Sequence, residues 1–114
     1  MNGIICNFNC LCNNPKVFTK FQKYFRALHC PVRWRIIGVI RDGEKSTGEI
    51  FEELRKSGES LSKSGLYYHL SELEKAGIIE LAMYREVGGG APEKVWRLKT
   101  KEIKISLLDV YDET

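Results

Sequence analysis

Hydrophobic residues recur every three or four positions along four successive stretches of the chain, a period that is typical of amphipathic helices. Pro31 suits the first turn of a helix, and Ser46 followed three residues later by Glu49 forms a capping-box pattern. Gly77 follows the last stretch as a left-handed stop. The pattern therefore predicts helices over residues 16–28, 31–40, 46–57 and 62–76.

The hydrophobic period changes after Gly77. Residues 78–87 are rich in strand-forming side chains, and residues 93–99 alternate so that Trp96 and Leu98 share one face. The glycine-rich run over residues 88–92 is a strong turn signal. Helices followed by a hairpin indicate an α+β fold.

Residues 101–114 alternate apolar and polar side chains before an acidic end. We expect a third strand here, and a helix that mates with another subunit is the alternative. A chain of 114 residues, 43% of them hydrophobic, has the size of one domain with one modest core. We assign residues 1–15 to a Cys- and Asn-rich tail, residues 16–100 to the domain, and residues 101–114 to a strand or tail in a dimer interface.

The formal net charge is only +3, but the basic residues are concentrated. Between Lys16 and Arg41 there are seven basic residues, Arg33 among them, and no acidic one. Such a block suits a polyanionic partner or a solvated face. No apolar run has the length of a membrane span, and the first residues do not resemble a signal peptide, so we expect a soluble, cytoplasmic protein without a membrane partner.

The segments 28–54 and 61–79 resemble the ArsR-type family of prokaryotic regulators. The first, LHCPVRWRIIGVIRDGEKSTGEIFEEL, carries a proline and an arginine before an apolar helix, and the second, LSKSGLYYHLSELEKAGII, is similar to the family's recognition helix. Gly90-Ala91-Pro92 followed by the run 95–98 resembles the tip and return strand of a wing. The resemblance covers roughly residues 28–100 and implies a winged helix-turn-helix fold that binds double-stranded DNA.

The resemblance makes residues 62–76 the recognition helix and residues 84–97 the wing. Leu66, Leu70 and Leu73 are expected to pack inward, which leaves the opposite face for DNA. Small residues at its start allow close approach, Lys63 can reach a phosphate or a guanine edge, and Tyr68 is the candidate base reader. The candidate DNA contacts are Ser62, Lys63, Ser64, Gly65, Tyr67, Tyr68, Ser71, Arg85, Lys94 and Arg97.

Three of these interpretations have alternatives. Tyr67 lies on the flank, where it either contacts a phosphate or covers the core. The wing cations lie among Glu86 and Glu93, so an ordinary solvated hairpin is the alternative to a phosphate contact. Within the same recognition helix, we expect His69 to be a half-buried structural residue rather than a ligand or sensor.

The first predicted helix carries an aromatic stripe that exceeds what a small core needs. We expect it to form the interface of a homodimer, with packing into the chain's own core as the alternative. The candidate dimer residues are Phe18, Phe21, Phe25 and Leu28.

Four cysteines raise the question of a metal. Cys6, Cys10, Cys12 and Cys30 supply enough soft ligands for zinc or an iron–sulfur centre, but their spacing matches no established signature. We expect free or disulfide-linked thiols and no cofactor. The usual sensing positions of the resembled family hold no cysteine or histidine here, so the sequence indicates no particular effector.

We therefore expect a dimeric, sequence-specific DNA-binding transcriptional regulator. The alternative is a winged-helix module that binds protein within a larger assembly. The chain offers no phosphate-cradling loop, paired catalytic carboxylates or activated nucleophile, which argues against an enzyme.

Overall fold

The computed structural model describes residues 15–86 and 88–104, with side chains from residue 21 onward. The helices are α1 (Pro15–Leu28), α2 (Pro31–Ile40), α3 (Thr47–Lys56) and α4 (Lys63–Lys75). The strands are β1 (Lys45–Ser46), β2 (Ile79–Arg85) and β3 (Glu93–Leu98). They form an antiparallel sheet in the order β1-β3-β2. The four predicted helices and the hairpin are confirmed, and the architecture is an α+β winged helix-turn-helix.

The core lies where α2, α3 and α4 meet the sheet. Each helix contributes aliphatic residues at helical spacing, which is why one face of each is removed from water. The side chains with at most 2% exposure include Ile36, Ile40, Ile50, Leu54, Leu66, Leu70, Leu73 and Ile79. This core holds α4 against the sheet and leaves its other face outside.

Two of the helices, α3 and α4, begin at serine N-caps. The Ser46 hydroxyl accepts from the Glu49 backbone N–H at 3.1 Å, and the Glu49 carboxylate accepts from the Ser46 backbone N–H at 2.8 Å. The predicted capping box is therefore confirmed. At α4 the Ser62 hydroxyl accepts from the Gly65 backbone N–H at 3.0 Å. Gly77 has a φ of 78°, which confirms the predicted left-handed stop.

The sheet holds one strand that the sequence did not predict. Lys45 and Ser46 pair with Trp96 and Val95, and a two-residue strand is too short to show an alternating pattern. This extra strand places β3 in the centre of the sheet. Val95 and Trp96, in the middle of β3, are both at most 3% exposed. Neighbouring strand residues point to opposite faces, so both faces of β3 are covered there.

The chain leaves β3 along a fixed path. The backbone N–H groups of Lys99 and Thr100 donate to the carbonyl of Ile78 at 2.8 and 3.1 Å, and the Thr100 hydroxyl donates to the carbonyl of Gly77 at 2.7 Å. Residues 101–104 are not in a strand, so the predicted third strand does not begin there. Its remainder, 105–114, lies outside the described residues. Within the described ranges, no helix is long and apolar enough to cross a membrane.

Candidate nucleic-acid interface

Helix α4 has one buried and one exposed face. Leu66, Leu70 and Leu73 are at most 1% exposed, as predicted. On the opposite side Tyr67 and Tyr68 are 55% and 58% exposed. Tyr67 therefore does not cover the core, which was the alternative to a phosphate contact. Ser62, Lys63 and Ser64 are exposed as well, and Gly65 and Ser71 are half-buried.

The small residues at the start of α4 have local structural roles. The Ser62 hydroxyl caps the helix and lies 3.2 Å from the Ser64 hydroxyl. A Cβ on Gly65 would lie 2.9 Å from Cδ1 of Leu61 and 3.2 Å from the Ser62 hydroxyl oxygen. A larger residue at 65 would therefore require Leu61 and the capping Ser62 side chain to shift.

Lys63 connects α4 to α3. Its Nζ lies 5.7 Å from the centroid of the Phe51 ring, within the range of a cation–π contact. The rest of the side chain is exposed. This contact holds the ammonium group beside the gap between α3 and α4, where it stays accessible to an anionic partner.

A buried arginine lies under the exposed tyrosines. Arg33 is only 8% exposed. It is therefore not part of a basic surface, although the charge count grouped it with the other basic residues between Lys16 and Arg41. Its Nε donates to Nδ1 of His69 at 3.0 Å, and Nη1 donates to the carbonyl of Ala27 at 3.2 Å. The guanidinium also lies 5.6 Å from the Tyr68 ring centroid, which itself meets His69 edge to face at 5.6 Å. Arg33 thereby links the end of α1 to α4 and supports Tyr68.

The sequence contained a signal for this arginine. Arg33 lies three residues before Ile36 and seven before Ile40, which places it on the buried stripe of α2. The same spacing excludes Trp34 from the stripe. In agreement with this spacing, Trp34 is 55% exposed. Its Nε1 donates to the carbonyl of Leu28 at 2.7 Å and closes the end of α1.

His69 is a half-buried structural residue, as expected. Burial lowers the pKa of His69, and the neighbouring positive charge of Arg33 lowers it further, while Glu59 acts in the opposite direction. Since Nδ1 accepts a hydrogen bond from a cation, the ring is neutral and its proton is assigned to Nε2. His69 is therefore an acceptor in the support of Tyr68.

Two of the three wing cations are paired with carboxylates. Arg97 contacts Glu80 at 2.8 Å and Glu44 at 3.7 Å, and Arg85 contacts Glu49 at 3.3 Å. Lys94 is exposed and lies 5.8 Å from the centroid of the Trp96 ring. Among the described residues, Lys94 is the wing cation without a carboxylate within 4.0 Å, so the wing is closer to neutral than its arginines suggest.

The base of the wing is bonded to the first turn of α3. The Glu93 carboxylate accepts from the Gly48 backbone N–H at 2.6 Å, at the positive end of the helix dipole. The Thr47 hydroxyl accepts from Trp96 Nε1 at 3.0 Å and donates to the Lys94 carbonyl at 3.4 Å. A Cβ on Gly48 would lie 2.5 Å from the Glu93 carboxylate, which explains glycine within this helix. Sequence reasoning treated Glu93 only as a charge and missed this role.

The predicted dimer face is partly described. Phe21, Phe25 and Leu28 are half-buried, and the rings of Phe21 and Phe25 lie 6.0 Å apart, centroid to centroid. The side chain of Phe18 lies outside the described residues. Phe25 and Leu28 also line a cavity of about 610 Å³ between α1, α2 and the residues after β3.

The cysteine cluster is mostly outside the described chain. Cys6, Cys10 and Cys12 belong to that part, and Cys30 is a half-buried free thiol. Among the residues that the structure describes, no three His, Cys, Asp or Glu side chains converge on a possible metal position.

Comparison with known proteins agrees with this geometry. Residues 27–82 match the family model of a helix-turn-helix domain. No curated protein sequence matches the chain.

Three solved structures resemble the fold. The crystal structure of Mycobacterium tuberculosis Rv0081 aligns with a TM-score of 0.53 and 23% identity over 73% of each chain. The Vibrio cholerae ferric uptake regulator aligns with a TM-score of 0.51 and 22% identity, over 74% of this chain and 64% of that one. The transcriptional regulator HlyU from Vibrio vulnificus aligns with a TM-score of 0.51 and 21% identity, over 89% and 86%. The chain therefore has a winged helix-turn-helix fold, and its residues 27–82 are similar to the family model of a helix-turn-helix domain.

Proposed function

We propose that this protein is a dimeric, sequence-specific DNA-binding transcriptional regulator of the ArsR type, with α4 as its recognition helix and the β2–β3 hairpin as its wing. The observation that carries the proposal is the exposed face of α4 within a matched helix-turn-helix segment. A recognition helix presents its N-terminal residues to base edges in the major groove. Two of the similar structures are a transcriptional regulator, HlyU, and a ferric uptake regulator with DNA-binding domains, which is consistent with this role.

Lys63 and Tyr68 are assigned different tasks on this face. The Lys63 ammonium contacts a phosphate or a guanine edge, and Tyr68 contacts a base from a ring held by Arg33 and His69. A supported ring loses little conformational freedom on binding, which favours affinity. Tyr67 is exposed beside it and donates its hydroxyl to a phosphate.

The wing contributes mainly through Lys94. Both wing arginines have carboxylate partners in the free protein, so a phosphate must compete with those carboxylates. Exposed ion pairs are weak, and an incoming phosphate can therefore displace them at modest cost. We assign Arg85 and Arg97 as secondary contacts and Lys94 as the primary one.

The proposed dimer places two copies of α4 on one face of the DNA. Half-sites of a two-fold dimer lie one helical turn apart, ~34 Å centre to centre. Phe18, Phe21, Phe25 and Leu28 supply the apolar contact between copies. Sedimentation velocity at micromolar protein tests this geometry, and a strict monomer there would contradict it.

DNA binding is tested by fluorescence anisotropy of a labelled duplex taken from upstream of the protein's own coding sequence. A scrambled duplex of the same composition is the control, and both are titrated across a salt series. A specific regulator gives a steep fall in affinity with salt for both duplexes and at least ~10³-fold preference for the native one. A steep fall without preference supports DNA binding by this surface but not this operator.

A second candidate is a winged-helix module that binds protein. Both wing arginines are paired with carboxylates, which makes the wing closer to neutral. This favours the second candidate, because a near-neutral wing attracts DNA phosphates less strongly and is compatible with a protein partner. The two candidates separate in the same titration. Absence of binding to either duplex at low salt would contradict the DNA-binding proposal and favour the protein-binding one.

A further inference from the structure

An apolar groove on the surface of the molecule is open to solvent. Its volume is about 610 Å³, and it is bounded by α1, α2 and the residues that follow β3. Its lining includes Tyr24, Phe25, Leu28, Trp34, Ile37 and Leu98. Trp34 is 55% exposed, although its indole N–H is already bonded to the Leu28 carbonyl. The ring therefore has its polar group satisfied and leaves an apolar face uncovered, which favours a covering partner.

The path of the chain points to what covers this groove. Lys99 and Thr100 are fixed to Ile78 and Gly77 by three hydrogen bonds, so the direction in which the chain leaves β3 is set. Residues 100–103 then line the groove itself. The next segment, 105–114, thus starts two residues beyond Ile103, and an extended residue spans at most ~3.6 Å. Its effective concentration at the groove is accordingly high.

The composition of residues 105–114 matches the groove. Ile105, Leu107, Leu108, Val110 and Tyr111 are apolar, and Asp109, Asp112 and Glu113 are the charged residues. The other side of the contact has the opposite charge, since α1 and α2 contain no acidic residue. Lys23, whose Nζ lies 5.1 Å from the centroid of the groove-lining Tyr24 ring, belongs to that basic surface. Apolar content and charge are both complementary.

We propose that residues 105–114 dock into this groove within the same chain, covering Trp34 with their apolar side chains and placing their carboxylates beside the basic surface of α1. Phe25 and Leu28 belong both to the groove and to the proposed dimer face, so the docked segment becomes part of that face. The docking does not depend on DNA binding, and the test below requires no DNA.

The fluorescence of Trp34 reports directly on whether residues 105–114 shield its ring from solvent. The test uses the full chain with Trp96→Phe, so that the tryptophan emission comes from Trp34, and measures quenching by acrylamide. In this background Leu107→Ser with Leu108→Ser removes apolar contact from the segment. The matched control, Ser106→Ala with Thr114→Ala, changes the same segment without removing an apolar side chain. Docking predicts that the leucine variant raises the quenching constant at least ~2-fold and that the control leaves it unchanged.

Each result bears on the proposal. Equal quenching in the leucine variant and its parent overturns it, as does an effect that disappears on ~100-fold dilution together with loss of dimer, because a second copy would then be the cover. An effect that persists on dilution supports docking within the chain. If Trp96→Phe fails to fold by circular dichroism, the comparison is made in the native background, where Trp96 is only 3% exposed and contributes little to quenching.

Discussion

Arg33 donates a hydrogen bond from Nε to Nδ1 of His69 at 3.0 Å, which joins a buried cation of α2 to α4. The same guanidinium bonds to the Ala27 carbonyl and lies against the Tyr68 ring. Three helices therefore meet at one side chain. The exposed surface of α4 is supported by a hydrogen bond and a cation–π contact as well as by aliphatic packing.

The burial of His69, together with its position beside Arg33, makes stability depend on pH. The pKa of His69 is lowered in the folded state, so the unfolded state binds the proton more tightly and stability rises with pH. The contribution is complete above the ordinary value of 6.5 and is lost as the pH falls through 6.5 towards the lowered value. Urea unfolding at a series of pH values checks this. The His69→Gln variant retains an acceptor that does not titrate, and its stability should change less over the same window.

Replacing Arg33 should destabilise the fold. In Arg33→Lys the forked contacts to Ala27 and His69 cannot both be kept, and we expect a loss of about 1–3 kcal/mol in the free energy of unfolding. The matched control is Arg35→Lys, because Arg35 is exposed and pairs with Glu59 at 3.1 Å at the surface. Its effect should stay below about 0.5 kcal/mol. Equal losses in the two variants would show that the buried contacts of Arg33 contribute no more to the free energy of unfolding than the surface ion pair of Arg35.

Gly48 and Glu93 should be energetically coupled. Alanine favours a helix over glycine by about 1 kcal/mol, but a Cβ at 48 would displace the Glu93 carboxylate. Gly48→Ala should therefore gain little or lose stability in the parent chain, and should stabilise by about 0.5–1 kcal/mol in a Glu93→Ala background. A double-mutant cycle in urea measures the difference. Additive effects would mean that the Glu93 contact to Gly48 is not maintained in solution.

Ser62 allows fold and binding to be separated. Ser62→Ala removes the cap of α4 and should cost about 1 kcal/mol of stability. Ser62→Asp keeps a capping acceptor but adds a negative charge at the proposed DNA face. It should leave the unfolding midpoint near that of the parent and weaken binding to the duplex. An unchanged affinity in Ser62→Asp would place the start of α4 away from the phosphates.

Lys63 and Tyr68 on the exposed face of α4 should contribute to DNA affinity more than to the stability of the fold. We expect Lys63→Ala to reduce the slope of log affinity against log salt by about 1, since one phosphate contact is lost. Tyr68→Ala should weaken binding to the preferred duplex more than to the scrambled one. Lys75→Ala is the matched control, because Lys75 lies at the other end of α4 and pairs with Glu72 at 3.4 Å. If neither Lys63→Ala nor Tyr68→Ala changes the anisotropy titration, α4 is not the recognition helix.

The elements with a strong local signal were predictable from the sequence. The capping box at Ser46, the stop at Gly77 and the leucine stripe of α4 each follow from interactions within a few residues along the chain. For the same reason Tyr68 could be assigned to the outer face from the sequence, whereas the position of Tyr67 on the flank left two alternatives open.

The contacts between distant segments were not predictable in this way. Trp96 is bonded to Thr47, 49 residues away, and Glu93 to Gly48, 45 residues away. The period of hydrophobic residues along the chain does not indicate which distant residue each of these side chains contacts. Arg33 was misassigned to the surface because a charge count carries no information on burial. Its position on the buried stripe of α2 did indicate that it is buried. The central place of β3 was missed because β1 has only two residues.

The bonds between the first turn of α3 and the base of the wing limit how this protein can be redesigned. Thr47, Gly48 and Glu49 each contact a side chain or carbonyl of the hairpin. A hairpin transplanted from another winged protein would arrive without Glu93 and Trp96. The Gly48 N–H would then lose its acceptor, and the Thr47 hydroxyl would lose the indole N–H that donates to it. A chimera that alters the specificity of the wing must therefore exchange residues 46–49 together with residues 85–96, as one unit.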